Sequence, residues 1–277
     1  MNQGITLEPN VSVEINNVRH VIAVLSGKGG VGKSLVSSLL ATSLRRQGYT
    51  VGILDADITG PSIPKMFFPG KVQIASDPNW LRPAVTDSGI KVMSINLILQ
   101  DENQAVIWRG PLIARAIQQF WDDVLWGQLD YLVVDLPPGT SDASLTVMQS
   151  LPLSGVVLVT APQSLAGMVV KKASQMANHL HIPILGLVEN MSYFTCPDNG
   201  KQYDIFGPSH AQEVADSLNV PFLGRLPIDP EIAVLCDQGR VEQYLAEAFQ
   251  AIADHVVATA KPARPPIDLS QPPHNHN

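Results

Sequence analysis

Short, continuous apolar runs alternate along this chain with stretches in which apolar residues recur at helical spacing. The runs Val21–Ser26, Val51–Leu54, Ile90–Ile95, Tyr131–Val134, Val156–Val159 and Ile184–Val188 predict strands. The periodic stretches Ser34–Gln47, Leu112–Leu125, Val169–Leu180 and Ala211–Leu218 predict helices. Strands that are apolar throughout are buried on both faces, which is the condition of a parallel sheet covered by crossover helices. The expected fold class is therefore α/β: a doubly wound, mostly parallel sheet with helices on both faces.

The first predicted helix places Val36, Leu39, Leu40 and Leu44 on one side, carries Arg45 and Arg46 near its end, and stops at Gly48. That apolar side reads as core. Residues 1–19 are polar with weak alternation at Val11, Val13 and Ile15, and read as a loose arm or a short edge strand. The stretch from Pro61 to Pro83 is rich in proline and turn residues and reads as an insertion over one edge of the sheet. After Ala260 the chain has too many prolines and too few apolar residues to pack, so residues 261–277 read as a disordered tail; His274 and His276 could catch a metal, but a polar tail is the simpler reading. One domain, residues 20–260, remains.

Composition supports that division. With 277 residues and 45% hydrophobic content, the chain can bury a sizeable core. A net charge of −7 gives no general attraction to nucleic acid or anionic lipid, so neither is expected as a partner. No apolar run is long enough to span a bilayer and no basic segment precedes an apolar leader, so a cytoplasmic protein is expected. The two cysteines, Cys196 and Cys236, cannot make a disulfide framework.

The chemistry is concentrated in Gly27-Lys28-Gly29-Gly30-Val31-Gly32-Lys33-Ser34, which fits G-x-x-x-x-G-K-[ST] and stands between a predicted strand and a predicted helix. Phosphate oxygens can be surrounded by backbone N–H groups only where side chains do not block the approach, and Gly27, Gly29, Gly30 and Gly32 open that cradle. The helix N-terminus beginning near Lys33 adds unpaired amides and a positive dipole end. Lys33 supplies a point charge for the β- and γ-phosphates, and the Ser34 hydroxyl is placed to ligate Mg²⁺. ATP with Mg²⁺ is the expected ligand.

Two aspartates, Asp55 and Asp57, end the second strand at the sheet edge where doubly wound folds bind ligands. Tyr131-Leu132-Val133-Val134-Asp135 is an apolar strand closing on a carboxylate, the form of a Walker B, so Asp135 would hold Mg²⁺ through water. Gly139 leaves a backbone N–H able to approach the γ-phosphate, and Pro137-Pro138 stiffens the segment before Thr140. For Asp57 the competing reading is a solvated turn carboxylate; for Asp55 the functional and structural readings are balanced.

The second lysine, Lys28, makes the loop similar to the deviant Walker A of the P-loop NTPases of SIMIBI type that include MinD, ParA, the nitrogenase iron protein and the Mrp/ApbC iron–sulfur carriers. That resemblance implies a homodimer in which Lys28 reaches the partner's nucleotide. Further segments carry the likeness from about Val18 to about Ala260: Asp55-Ala56-Asp57-Ile58-Thr59-Gly60-Pro61-Ser62, Asp135-Leu136-Pro137-Pro138-Gly139-Thr140-Ser141-Asp142, Ala161-Pro162-Gln163, and Asn190 through Gly200 followed by Asp204-Ile205-Phe206-Gly207. Together they resemble an Mrp/ApbC-type iron–sulfur cluster carrier. The match implies that Asp57 positions or activates the attacking water, with Lys28 and Lys33 as its catalytic companions and Asp55 a more distant partner of Mg²⁺. It implies that Asn190 contacts the adenine, while Pro227 and Asp229 lie in the loop closing over the other side of the base. The activity implied is slow ATP hydrolysis that drives delivery of clusters to apoproteins.

In the Mrp/ApbC family a Cys-x-x-Cys from each subunit holds a [4Fe–4S] cluster across the dimer. Here Cys196 stands at the first position and Asn199 at the second, so a dimer presents two thiolates where four are expected. A labile cluster completed by outside ligands, a different metal site, or no cluster remain open. Leu35 also replaces the hydroxyl residue usual after Ser34. Cys236 reads as a packed thiol. The alternative function is a MinD- or ParA-like positioning or regulatory switch; a MinD-like anchor is disfavoured because Val241–His255 is acidic at its polar positions. A third reading has the chain regulating a partner through its nucleotide state without cargo.

Overall fold

The computed structural model describes residues 16–58, 60–72, 74, 76–77, 80–98, 110–162, 166–245 and 247–263. Its elements are β1 (Asn17–Ser26), α1 (Lys33–Arg46), β2 (Val51–Asp55), α2 (Ile63–Phe67), β3 (Ser76–Asp77), β4 (Trp80–Leu81), β5 (Ala84–Val85), β6 (Lys91–Ser94) and α3 (Gly110–Asp122). There follow β7 (Gln128–Asp135), α4 (Asp142–Ser150), β8 (Gly155–Thr160), α5 (Ala166–His179), β9 (Ile184–Thr195), β10 (Gln202–Tyr203), α6 (Ala211–Leu218), β11 (Phe222–Ile228), α7 (Pro230–Asp237) and α8 (Glu247–Thr259).

The main sheet runs β10–β9–β8–β1–β7–β2–β6–β5, with β11 also paired to β9. Strands β6, β2, β7, β1, β8, β9 and β11 are mutually parallel, and the short β5 and β10 are antiparallel additions. β1 is central, flanked by β7 and β8. Successive crossovers lead away from it in opposite directions, which opens a crevice at its carboxyl end.

Alternation along β1 divides the core. Val21, Ala23 and Leu25 join Ile117 and Phe120 of α3, Val147 of α4, Ala173 of α5 and Ala215 of α6. Ile22 and Val24 join Leu40 and Leu44 of α1, Phe67 of α2, Ile232 of α7 and Phe249 of α8 on the opposite face. Helices therefore cover both faces, as the apolar runs predict. Among the described residues no helix is long and apolar enough to cross a membrane.

Element boundaries differ from the sequence expectation where apolar signal is absent. β1 begins at Asn17, ahead of the apolar run that predicts it: Asn17 and Val18 pair with β7, and residues 17–19 stay at least partly exposed. Asn16, just before the strand, donates to Val124 O at 2.8 Å, and residues 1–15 of the predicted arm lie outside the described residues. Lys261 and Ala263 lie against β1: the Lys261 carbonyl is 2.9 Å from His20 Nδ1, and Ala263 N donates to Arg19 O at 2.8 Å. The remainder of the predicted tail, with His274 and His276, lies outside the described residues. β9 runs past Val188 to Thr195, because its second half is held by β11 on its flank rather than by apolar burial on both faces.

Candidate functional site

The phosphate loop leaves β1 at Ser26 and enters α1 at Lys33. Gly30 and Gly32 have φ of 79° and 78°, a left-handed backbone that a Cβ would strain. Gly32 is also crowded, since a Cβ there would stand 2.1 Å from Asn190 Nδ2. Ser26 Oγ donates to the Lys28 carbonyl at 2.9 Å, tying the first turn of the loop to the strand end. Lys28 itself is half-buried.

Three groups of α1 converge on the fully buried Asp135. Lys33 Nζ lies 2.7 Å from its Oδ1, Ser37 Oγ donates to Oδ1 at 2.6 Å, and Ser34 Oγ donates to Oδ2 at 2.6 Å. Beyond this ion pair, the buried ammonium has no hydrogen-bond partner among the described residues. Its N–H directions remain for phosphate oxygens. Ser34, whose O–H donates to Asp135, keeps lone pairs for a cation. These features fit a magnesium-bound nucleotide: a buried ammonium ion-paired but with no hydrogen-bond partner among the described residues, a glycine cradle and a hard oxygen donor set.

Asp55 and Asp135 end neighbouring strands in the same register. Asp55 is fully buried and its oxygens are engaged by the chain. Oδ1 accepts from Asp57 N at 3.2 Å, and Oδ2 accepts from Ser62 N at 3.0 Å, Ile63 N at 3.1 Å and Ser94 Oγ at 3.3 Å. Burial, and then the charge of Asp135, push the Asp55 carboxyl up to about 8, against the pull of the Ile63 amide and Lys33. Its immediate work is to shape the segment after β2, which holds Asp57 at the edge of the site. Asp57 is buried, and its Oδ1 accepts from Gly60 N at 3.2 Å.

On the other side of the loop, Gly139 adopts φ of 80° and donates its N–H to Ser26 O at 2.9 Å. Ser144 Oγ lies 3.0 Å from Pro137 O and 2.9 Å from Gly139 O, which fastens this segment to the start of α4. Asn190, buried on β9, donates from Nδ2 to Val31 O at 3.0 Å and so braces the loop directly. Pro227 sits opposite Tyr193 in the β11–β9 pairing. Asp229 caps α7 by accepting from Glu231 N at 2.9 Å and also accepts from Tyr244 Oη at 2.7 Å.

A family model described as ParA: NUBPL iron-transfer P-loop NTPase matches residues 17–258. The chain belongs to that family. It is 45% identical over 255 residues to the iron-sulfur cluster carrier protein of Methanocaldococcus jannaschii, a match covering 90% of this chain and 88% of that protein. It is 41% identical to the cytosolic Fe-S cluster assembly factor CFD1 of Chaetomium globosum, over 84% of this chain and 82% of that one. The structure of a nucleotide-binding protein from Archaeoglobus fulgidus in complex with ADP superposes with a TM-score of 0.77 at 46% identity, covering 86% of this chain and 93% of that chain. Pyrococcus furiosus MinD, at 23% identity and a TM-score of 0.62, shares the fold. The resemblance carried by the loop, the strand-end aspartates and the Asn190–Gly207 segment thus holds.

In this chain the cysteine segment is a hairpin between β9 and β10. Cys196 follows the last residue of β9; its N–H donates to Lys201 O and its carbonyl accepts from Gly200 N, both at 2.9 Å. Asn199, where the resemblance leads one to expect a second cysteine, accepts the Lys201 N–H at 2.9 Å through Oδ1 and stabilises the turn. Cys196 is half-buried and carries a free thiol. Among the described residues no group of three or more His, Cys, Asp or Glu is placed to hold a metal. With two cysteines in the sequence, one chain does not supply the four thiolates of a [4Fe–4S] site.

Ser37 and Ser144 escaped the sequence reading. Ser37 lies three residues after Ser34 and four after Lys33, a spacing that places all three on one helix face, and this could have revealed it. Ser144 answers carbonyls of a turn, for which no residue pattern exists.

Proposed function

We propose that this protein is an ATP-hydrolysing, homodimeric carrier of iron–sulfur clusters that acts in the cytoplasm and passes its cargo to apoproteins. The observation that carries the nucleotide half is the convergence of Lys33, Ser34 and Ser37 on buried Asp135 beside the glycine cradle. Gly27 through Ser34 bind the phosphates, and Ser34 with Asp135 holds Mg²⁺, which when bound neutralises charge on the β- and γ-phosphates. Asp57 orients the attacking water, its own position set by the hydrogen bonds around Asp55. Lys28 faces the partner copy's phosphates. Asn190, Pro227 and Asp229 bound the adenine side.

The cargo half rests on kinship with proteins named as cluster carriers and on the placement of Cys196 at the end of β9. With Asn199 in the second position, each copy contributes one thiolate, so a cluster shared by two copies needs further ligands from outside the chain. The same asparagine favours a second reading, a nucleotide switch without cargo.

Two measurements separate these. ATP hydrolysis by the native protein, abolished in Lys33→Ala, tests the engine. Anaerobic reconstitution with iron and sulfide, counting iron per dimer in the native protein and in Cys196→Ala, tests the cargo. Stoichiometric iron that disappears in the variant supports the carrier; equal trace iron in both leaves the switch.

A further inference from the structure

The pairing of β9 with β11 shifts register between the nucleotide site and the cysteine hairpin. Arg225 of β11 stands opposite Glu189 and Pro227 opposite Tyr193, so Asn190, Met191 and Ser192 face Leu226 alone. Met191 takes φ of 54°, a left-handed conformation that a side chain with a Cβ adopts only when its surroundings enforce it. The bulge gives the two residues beside it different tasks. Asn190 turns to the phosphate loop, where it holds Val31 O and presses against Gly32. Ser192 turns to Arg225 and Glu189.

Arg225 gathers the residues beyond the bulge. Its Nε donates to Ser192 Oγ at 2.5 Å, and its Nη2 donates to Asp204 Oδ1 at 2.6 Å and to Ser192 O at 3.3 Å. The guanidinium also lies 5.2 Å from the centre of the Tyr193 ring and 3.7 Å from Glu189 Oε2. Ser192 Oγ uses its O–H to donate a hydrogen bond to the buried Glu189 carboxylate, so it can only accept from Arg225, and the direction of each bond is fixed. Asp204 immediately follows β10, whose Gln202 and Tyr203 pair with Thr195 and Phe194 beside Cys196. A continuous set of contacts therefore joins the Val31 carbonyl to the base of the Cys196 hairpin.

We propose that Arg225 is a positioning residue that couples the phosphate loop to the Cys196 hairpin, with the Met191 bulge as the element that changes state. The proposal rests on the carrier reading in taking Cys196 as the cargo-facing residue. Phosphate entering the cradle shifts Val31 and with it the Asn190 amide. Met191 can answer such a shift by leaving its left-handed conformation, a discrete change and not a gradual one. Ser192 moves with it, and Arg225 passes the displacement to Asp204 and the hairpin. An arginine suits this task because its planar fork holds Ser192 and Asp204 at fixed angles, whereas a lysine ammonium on a flexible stem holds one at a time.

The test needs no cluster. In a Cys236→Ala background Cys196 is the sole thiol, since the chain has two cysteines. Its alkylation rate by iodoacetamide is measured without nucleotide, with ADP and with a non-hydrolysable ATP analogue. Expected is a change between nucleotide states of about fivefold or more, the lower range of ordinary coupling between sites. Arg225→Lys and Asp204→Asn should keep nucleotide affinity and unfolding temperature near those of the parent yet lose this dependence. Asp204 is the solvent-facing end of the contact, so Asp204→Asn decides the matter even if Arg225→Lys folds poorly. A nucleotide dependence that survives in Asp204→Asn, or one missing from the parent, overturns the proposal. Absence of iron on reconstitution would sink the carrier reading while leaving this coupling to stand or fall by the alkylation rates.

Discussion

Asp55 and Asp135 end adjacent parallel strands at the same register, both fully buried, but their partners differ in kind. Asp135 meets a lysine ammonium and two hydroxyls from α1; Asp55 meets backbone amides from the segment after β2 and one serine hydroxyl. One carboxylate thus serves the phosphate loop and the other shapes the segment holding Asp57. The division follows from the strand order, which places β7 beside β1 and β2 one strand further out.

Asp135→Asn keeps the shape of the side chain but removes the charge facing Lys33 and one acceptor oxygen. ATP hydrolysis should fall by about 100-fold or more, the range for losing one fixed electrostatic partner in an active site. Steady-state phosphate release checks it; a loss of less than about threefold would mean the cluster on Asp135 is structural only.

Ser37→Ala removes a hydroxyl from a charged acceptor without touching the ligand positions. Stability should drop by about 1.5–3 kcal/mol, the range for a hydrogen bond to a charged group, with a smaller effect on hydrolysis than Ser34→Ala. Urea unfolding of both variants, alongside their hydrolysis rates, makes the comparison.

Gly32→Ala meets two obstacles, the positive φ and the Asn190 amide. A destabilisation of about 1–3 kcal/mol from backbone strain is expected together with loss of nucleotide binding. The double variant with Asn190→Ala removes the side-chain collision but not the strain, so it should recover only part of the stability. Full recovery would show that φ at this position carries no cost.

Cys236 should be a slow thiol. Burial, and then the neighbouring Asp237, push it up to about 11. Only the thiolate attacks iodoacetamide, and at pH 8 this leaves about a thousandth of it reactive, rising about tenfold per pH unit toward 11. Alkylation of a Cys196→Ser variant, followed by mass spectrometry across that range, checks the slope. A rate that levels off before pH 10 would contradict it.

Much of the fold was legible because the central strands are apolar on both faces and the helices between them keep their period. Val51–Leu54, Tyr131–Val134 and Val156–Val159 were visible for this reason. The first residues of β1 and the second half of β9 were not, because their positions are fixed by pairing with β7 and β11 and carry no continuous apolar signal.

By itself the sequence determined the phosphate loop, the two strand-end aspartate sites and the family, since these depend on residue types at fixed local spacing. Only the tertiary structure decided what each carboxylate holds, that Asn190 braces Val31, and that Arg225 ties Ser192 to Asp204. Those contacts join residues distant in the chain through a sheet order and a strand bulge. No local pattern encodes them, because they arise from where packing of the whole sheet brings the strand ends together.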